Sequence, residues 1–439
     1  MRRALLALCV ALPFAAMAPA TAQEATPPPA ETVATTDVSE APATPNAPAL
    51  RAPDPLPPPS RARPANDTDE GGLWGLSERA EQQARVAGTL ERDAALNEYI
   101  RAVSCRVAAQ YCGDVRLYVM NRPFFNASMA PNGYMEVWSG LLLRAEDEAQ
   151  LAFVLGHEVA HYSEQHSLEA LRTTRARATG AMLATVTVAV VGAAAAVNSP
   201  NSAASISDAT RIATDAIYLG TIASLFGFSR ENESQADFIG FDHAVAAGYD
   251  PNAGHLLWGN LVAETRASDN RDVRRRETRS SIFQTHPLSS DRLEALQERA
   301  ATASGGETHR ERYRAAIRPF LDPWLRAELR RRDFGQTLSL LDRLGQHGED
   351  FGVVEYYRGE VHRLRRGEGD RARAKQFYQS AITHADAPAA AWRELGDLEQ
   401  RDGNVAAARA HYTTYLERAP NAEDRALIEA RTAQLGEAP

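Results

Sequence analysis

Cysteine is scarce in this chain. Cys9, Cys105 and Cys112 are the three in 439 residues, too few for a disulfide framework to stand in for an apolar core. Positive charge is not in excess either. The formal charge is −9 at neutral pH, which argues against nucleic acid as a main partner. A long, strongly hydrophobic run is missing as well. The most apolar stretch beyond the N-terminus, residues 178–197, is mostly Ala, Val, Thr and Gly, which gain little per residue on entering lipid. It reads as a buried helix, or one in peripheral contact with a membrane, rather than as a span.

What stands at the N-terminus is a leader. Arg2 and Arg3 precede a short apolar run from Ala4 to Ala18, and Ala20-Thr-Ala22 offers a cleavage site. Residues 1–22 are therefore expected to be a signal peptide. Its removal leaves Cys105 and Cys112, an even pair that forms a candidate disulfide in an exported chain, provided a helix ends between them. Twelve of the 24 prolines lie between Pro27 and Pro64, among Ala, Thr, Ser and Glu. Such a segment buries too little apolar surface to offset its ordering entropy, so residues 23–72 are expected to be a disordered tether.

Folded sequence is expected from Leu73. The apolar spacing predicts one helix over Ser77–Ala109, and alternation predicts strands at Val115–Val119 and Tyr134–Trp138, with a turn-rich stretch from Asn126 to Gly133 between them. A long helix starts at Asp147, and further helices are expected over 205–225, 231–247 and 289–300. Arg271, Arg274, Arg275, Arg276 and Arg279 read as a solvated basic loop. Beyond Gly306 the pattern is helical throughout. Ala374, Tyr378 and Ala381 are followed 34 residues later by Ala408, Tyr412 and Tyr415, with Trp392, Leu395, Gly396 and Pro420 in register, the period and pattern of tetratricopeptide repeats.

The chemistry centres on His157-Glu158-Val-Ala-His161. Residues four apart share a helix face, so the two imidazoles can bind one zinc ion. Zinc acidifies water towards neutral pH, and the adjacent Glu158 is placed to take its proton. A third ligand is still needed. His166, five residues on, would fall on another face of a continuous helix. Glu233 and Asp237, one turn apart in Ser229-Arg-Glu-Asn-Glu-Ser-Gln-Ala-Asp237, fit better: Glu233 as ligand and Asp237 as acceptor for the second N–H of a ligand histidine, with Glu231 as the competing ligand. The strand Tyr134–Trp138 is expected at the sheet edge above the site, where an extended polypeptide could add a strand.

His157–His161, the segment 229–237 and Thr285-His-Pro-Leu-Ser-Ser-Asp-Arg292, in this order, resemble the motifs of the HtpX and CaaX-prenyl-protease gluzincins. Asn126-Ala127 and the Pro131–Gly133 turn match as well, and export plus C-terminal repeats is most similar to the periplasmic BepA-like branch. The resemblance implies His157, His161 and Glu233 as zinc ligands, Glu158 as base, Asp237 as orienting residue, and His286 with Arg292 at the substrate oxyanion. Asn126 and Ala127, with Met135 and Val137 of the strand Tyr134–Trp138, are the expected substrate-binding positions.

The expected architecture is α+β. A mainly helical zincin-type metallopeptidase domain with a small sheet spans 73–303, and an all-α tetratricopeptide-like domain spans 311–436. The function implied is zinc-dependent cleavage of misfolded or unassembled outer-membrane proteins in the periplasm of a Gram-negative bacterium. The repeats would meet the outer-membrane assembly machinery. The rival is a periplasmic chaperone or scaffold that works through its repeats.

Overall fold

The computed structural model describes residues 62–177, 227–275, His286 and 290–436. The leader 1–22, most of the tether 23–72, the apolar stretch 178–197, the helix expected over 205–225, and Arg276 and Arg279 lie outside the described residues. Among the described residues, no helix is long and apolar enough to cross a membrane.

Order begins earlier than Leu73. Helix α1 (Asp69–Val86) is capped by Thr68, whose hydroxyl accepts from the Gly71 amide. The single helix expected over Ser77–Ala109 is two. Between them Leu90 bridges Met120, and Asp93 caps α2 (Ala94–Val107) by accepting from the Leu96 amide. The break at Gly88-Thr89 and the new cap outweigh the apolar periodicity that ran through them. Helix α2 ends before Cys112, and a 3₁₀ turn (Ala109–Tyr111) brings Cys105 and Cys112 together in a disulfide.

Three strands follow: β1 (Arg116–Met120), β2 (Ala127–Met129) and β3 (Tyr134–Trp138). The sheet order is β1-β3-β2, with β1 parallel and β2 antiparallel to β3. This corrects the edge-strand expectation, because β3 is the central strand and is buried along its whole length. The edges are β1 and β2, and β2 lies inside the stretch read as a turn. Three residues are too few to display a period of two, and only pairing with β3 marks them as a strand. Gly133 closes the β2–β3 turn at a φ of 84°, where a β-carbon would sit 2.1 Å from the Asp114 carbonyl oxygen. The buried Glu136 at the centre of β3 is answered by Tyr134 and by the Trp138 indole N–H at 2.7 Å.

Helix α3 (Ser139–Arg144) leads to α4 (Glu148–Ser163), whose cap Asp147 accepts from the Gln150 amide. Every residue of α4 from Glu148 to Tyr162 is buried, as expected of a helix at the centre of a core. Then come α5 (His166–Arg177), α6 (Arg230–Ala246), α7 (Ala253–Arg266), the exposed basic turn α8 (Arg271–Arg275) and α9 (Ser290–Ala301). The helices α2, α6 and α7 pack around α4.

The C-terminal half is helical: α10 (Arg310–Ile317), α11 (Leu321–Leu329), α12 (Phe334–Gly345), α13 (Phe351–Arg365), α14 (Asp370–Ala381), α15 (Ala390–Arg401), α16 (Val405–Arg418) and α17 (Arg425–Gln434). It shares one apolar core with the first half, continuous from Leu96 to Ile428. A buried ion network crosses the junction. Arg144 on α3 meets Glu264 on α7 at 2.7 Å and Glu328 on α11 at 3.0 Å, and Arg343 on α12 meets Glu264 at 2.9 Å.

The hairpins α13–α14 and α15–α16 use one packing unit twice. The Tyr378 ring lies on Gly359 and the Tyr412 ring on Gly396, so that a β-carbon at either glycine would come within 2.4–2.5 Å of ring carbons. Each tyrosine hydroxyl donates to the carboxylate that follows its glycine, Glu360 or Asp397, at 2.6 Å.

Candidate metal centre

The centre is built where α4 crosses α6. Gly156 and Gly240 meet at the crossing, and a β-carbon on Gly240 would lie 2.6 Å from the His157 backbone nitrogen. The helices therefore approach at backbone contact, and Glu233 and Asp237, on the same face of α6 as Gly240, reach the imidazoles of α4.

His157 points Nδ1 at Asp237 Oδ1, 3.0 Å away, so the N–H is held there and Nε2 keeps its lone pair. His157 Nε2 lies 3.0 Å from His161 Nε2, and each is 3.6 Å from a Glu233 carboxylate oxygen. His286 completes the group, with Nδ1 3.1 Å from Glu233 and 3.2 Å from His157 Nε2. The ligating atoms of His157, His161, Glu233 and His286 all lie within 4.8 Å of one another. Bare imidazole nitrogens facing a carboxylate are the donor set zinc takes, so these residues fit it.

The electrostatics agree with that use. Burial pushes the Glu158 carboxyl above its ordinary value, although His286 and His157 pull against it. For Glu233, burial acts upward too, but the charges of His286 and Arg292 outweigh it and hold the carboxyl below its ordinary value. Asp237 is likewise held at about 2, Arg292 overriding its burial. Burial lowers His161 well below the usual imidazole value. His286 behaves the opposite way: burial is overridden by Glu233 and Glu158, and the ring is pushed up to about 9. Its Nε2 is 3.3 Å from Glu158.

Arg292, expected at the oxyanion, is buried with its guanidinium already engaged. It binds Asp237 through two nitrogens, at 2.6 and 2.8 Å, and Glu233 at 2.9 Å. Glu231 is exposed, on the far side of α6 from the centre. Asn126 precedes and Ala127 opens the strand β2, which packs against α4. Met135 and Val137 are buried in the central strand β3, and Asn126 and Ala127 are buried as well.

Two contributors, Phe228 and Trp258, were not legible, nor was the turn that brings His166 behind His161. His166 sits directly beneath His161, with the two Nδ1 atoms 2.8 Å apart. Helix α4 stops at Ser163, and Gln165 takes a φ of 54°, which swings His166 back under the site. A non-glycine residue in that region leaves no signature in the sequence. Phe228 stacks on His161 with ring centres 3.9 Å apart, and Trp258 packs against His157 and under Arg292. The Gly156–Gly240 pair could have been read from its spacing to His157 and Asp237.

Comparison with known proteins agrees with this geometry. Residues 90–300 match Peptidase family M48. The chain is 30% identical over 212 residues to a beta-barrel assembly-enhancing protease of Vibrio cholerae, covering 47% of this chain and 40% of that one. It is 26% identical over 223 residues to the beta-barrel assembly-enhancing protease of Escherichia coli, covering 50% and 42%. It is also 29% identical over 182 residues to the mitochondrial metalloendopeptidase OMA1 of Schizosaccharomyces pombe, covering 42% and 45%. The chain thus spans less than half the length of these relatives.

Proposed function

From the premise that residues 90–300 carry a zinc metallopeptidase domain of family M48, we propose that this chain is an endopeptidase acting on extended or misfolded exported proteins in a Gram-negative periplasm. The observation that carries the proposal is the buried convergence of His157, His161, Glu233 and His286 within 4.8 Å, beside a carboxylate that burial has made more basic.

His157, His161 and Glu233 would hold the zinc. A bound zinc ion supplies Lewis acidity towards water and a peptide carbonyl. Glu158 takes the proton of the attacking water, a transfer its raised affinity for protons favours, and returns it to the departing amine. Asp237 holds His157 by its Nδ1–H, and Arg292 in turn holds Asp237 and Glu233. Arg292 is thus a positioning residue for the ligands rather than a group on the oxyanion. The substrate adds as a strand to β2, an edge strand of the sheet packed against α4. Its main-chain pairing would favour unfolded segments over a fixed sequence.

His286 bridges Glu158 and Glu233 across the face where a scissile carbonyl would enter. We read the resting enzyme as latent, with His286 standing in the substrate's place until it withdraws. The paired helical hairpins are read as tetratricopeptide repeats that dock on outer-membrane assembly machinery or on substrate.

The test is zinc content together with cleavage of an unfolded protein such as casein, for wild type and Glu158→Gln. Zinc in both and cleavage by wild type alone supports the reading. A wild type that binds no zinc overturns it. Full rescue in cells by Glu158→Gln would favour a chaperone or scaffold role instead.

A further inference from the structure

Each imidazole has two nitrogens, and a metal ligand must present a bare one. Asp237 settles the matter for His157. For His161 no carboxylate is at hand, since its Nδ1 faces another histidine. With His166 neutral, the chain of contacts behind His161 has one consistent arrangement of protons. Glu164 Oε2 can only accept, so the group 2.9 Å from it is the Gln235 amide nitrogen. Gln235 Oε1 must then face His166 Nε2, which lies 3.3 Å away and so carries the hydrogen. A neutral His166 has a bare Nδ1 in consequence. That atom accepts from His161 Nδ1–H across 2.8 Å, leaving the lone pair of His161 on Nε2, towards His157 and Glu233.

We propose that Glu164, Gln235 and His166 form a positioning chain that fixes His161 in the tautomer able to ligate zinc. Phe228 fixes the plane of the His161 ring by stacking on it, and the chain decides which nitrogen points inward. With the opposite tautomer, an N–H would face His157 Nε2 and the site would have one ligand fewer. The left-handed Gln165 places His166 beneath His161, and α6 supplies Gln235 as well as the ligand Glu233. Both second partners of the two histidine ligands thus come from α6, one charged and direct, the other neutral and relayed.

This inference rests on the zinc-peptidase reading, and its test separates the two. Zinc affinity of the full chain is measured by competition with a chromophoric chelator for wild type, His166→Leu, His166→Asn and Gln235→Leu. Removal of an outer partner of a metal-bound histidine weakens metal binding by roughly 10–100-fold. That loss is expected for His166→Leu, which has no acceptor. His166→Asn offers a carbonyl oxygen to His161 Nδ1–H and is expected to recover most of it. Gln235 is exposed, so Gln235→Leu leaves the core intact and is expected to weaken zinc by a smaller factor. Wild-type affinity in His166→Leu, or a loss in His166→Asn equal to that of His166→Leu, overturns the positioning chain while leaving the peptidase reading in place. Should His166→Leu not fold, unchanged affinity in Gln235→Leu overturns it. A wild type without zinc overturns the peptidase reading itself, and this inference with it.

Discussion

Gly156 and Gly240 touch where α4 crosses α6, with no room for a β-carbon on Gly240 and only a tight 3.0 Å for one on Gly156, and this contact sets the distance from His157 to Asp237. Gly240→Ala would place its methyl carbon 2.6 Å from the His157 nitrogen and force the helices apart. Overpacking of this kind costs about 1–3 kcal/mol. The melting temperature is expected to fall, and zinc affinity to fall with it because Glu233 and Asp237 ride on α6. Zinc binding at wild-type strength in a folded Gly240→Ala protein would show that the crossing does not set the site.

Glu158→Gln keeps the size of the side chain and removes the base. Zinc content is expected to be unchanged and casein cleavage to drop by roughly 10²–10⁴-fold, the usual contribution of a general base. Metal analysis alongside a turnover assay checks both halves.

Arg292→Ala leaves the buried carboxylates of Glu233 and Asp237 without their cation. Breaking a buried pair by removing one partner costs about 3–5 kcal/mol, so the variant is expected to melt lower and to bind zinc weakly. If Arg292 acted on the oxyanion instead, the variant would melt and bind zinc like wild type and lose kcat alone.

His286→Ala removes the group that bridges Glu158 and Glu233 while sparing His157, His161 and Glu233. On the latent reading, cleavage of casein is expected to rise and zinc to be retained. A fall in cleavage would place His286 at the oxyanion. No change in either direction would remove both roles.

Stability should also depend on acidity through Glu148, the first residue of α4. Its burial alone would raise the carboxyl, but hydrogen bonds from Arg312, Tyr249 and Tyr99 outweigh this and bring it from 4.5 down to about 2. The folded value lies below the unfolded one, so the stabilisation is fully present above about 4.5 and is lost as the pH falls towards about 2. Urea unfolding over that range is expected to show a steeper loss for wild type than for Arg312→Ala, which lacks the strongest of these bonds.

The sequence by itself determined the helix that carries His157, Glu158 and His161, the strands β1 and β3 to within a residue, the spacing of Glu233 and Asp237 on one helix face, and the recurrence of Tyr378 and Tyr412. Apart from that recurrence, which is a 34-residue repeat between helices, these rest on periodicity within a single element, which neighbours along the chain dictate. The tertiary structure alone decided the rest. It made β3 central and β2 an edge, because strand order depends on pairing between segments and not on their composition. It turned Arg292 onto Asp237 and Glu233, since a buried guanidinium goes to the nearest carboxylates available in three dimensions. It returned His166 to His161 through one left-handed residue, Gln165, that no pattern announces. The residues that converge on the candidate metal centre could thus be named from one helix and one motif downstream, but what holds them in place depends on how closely α4 and α6 approach.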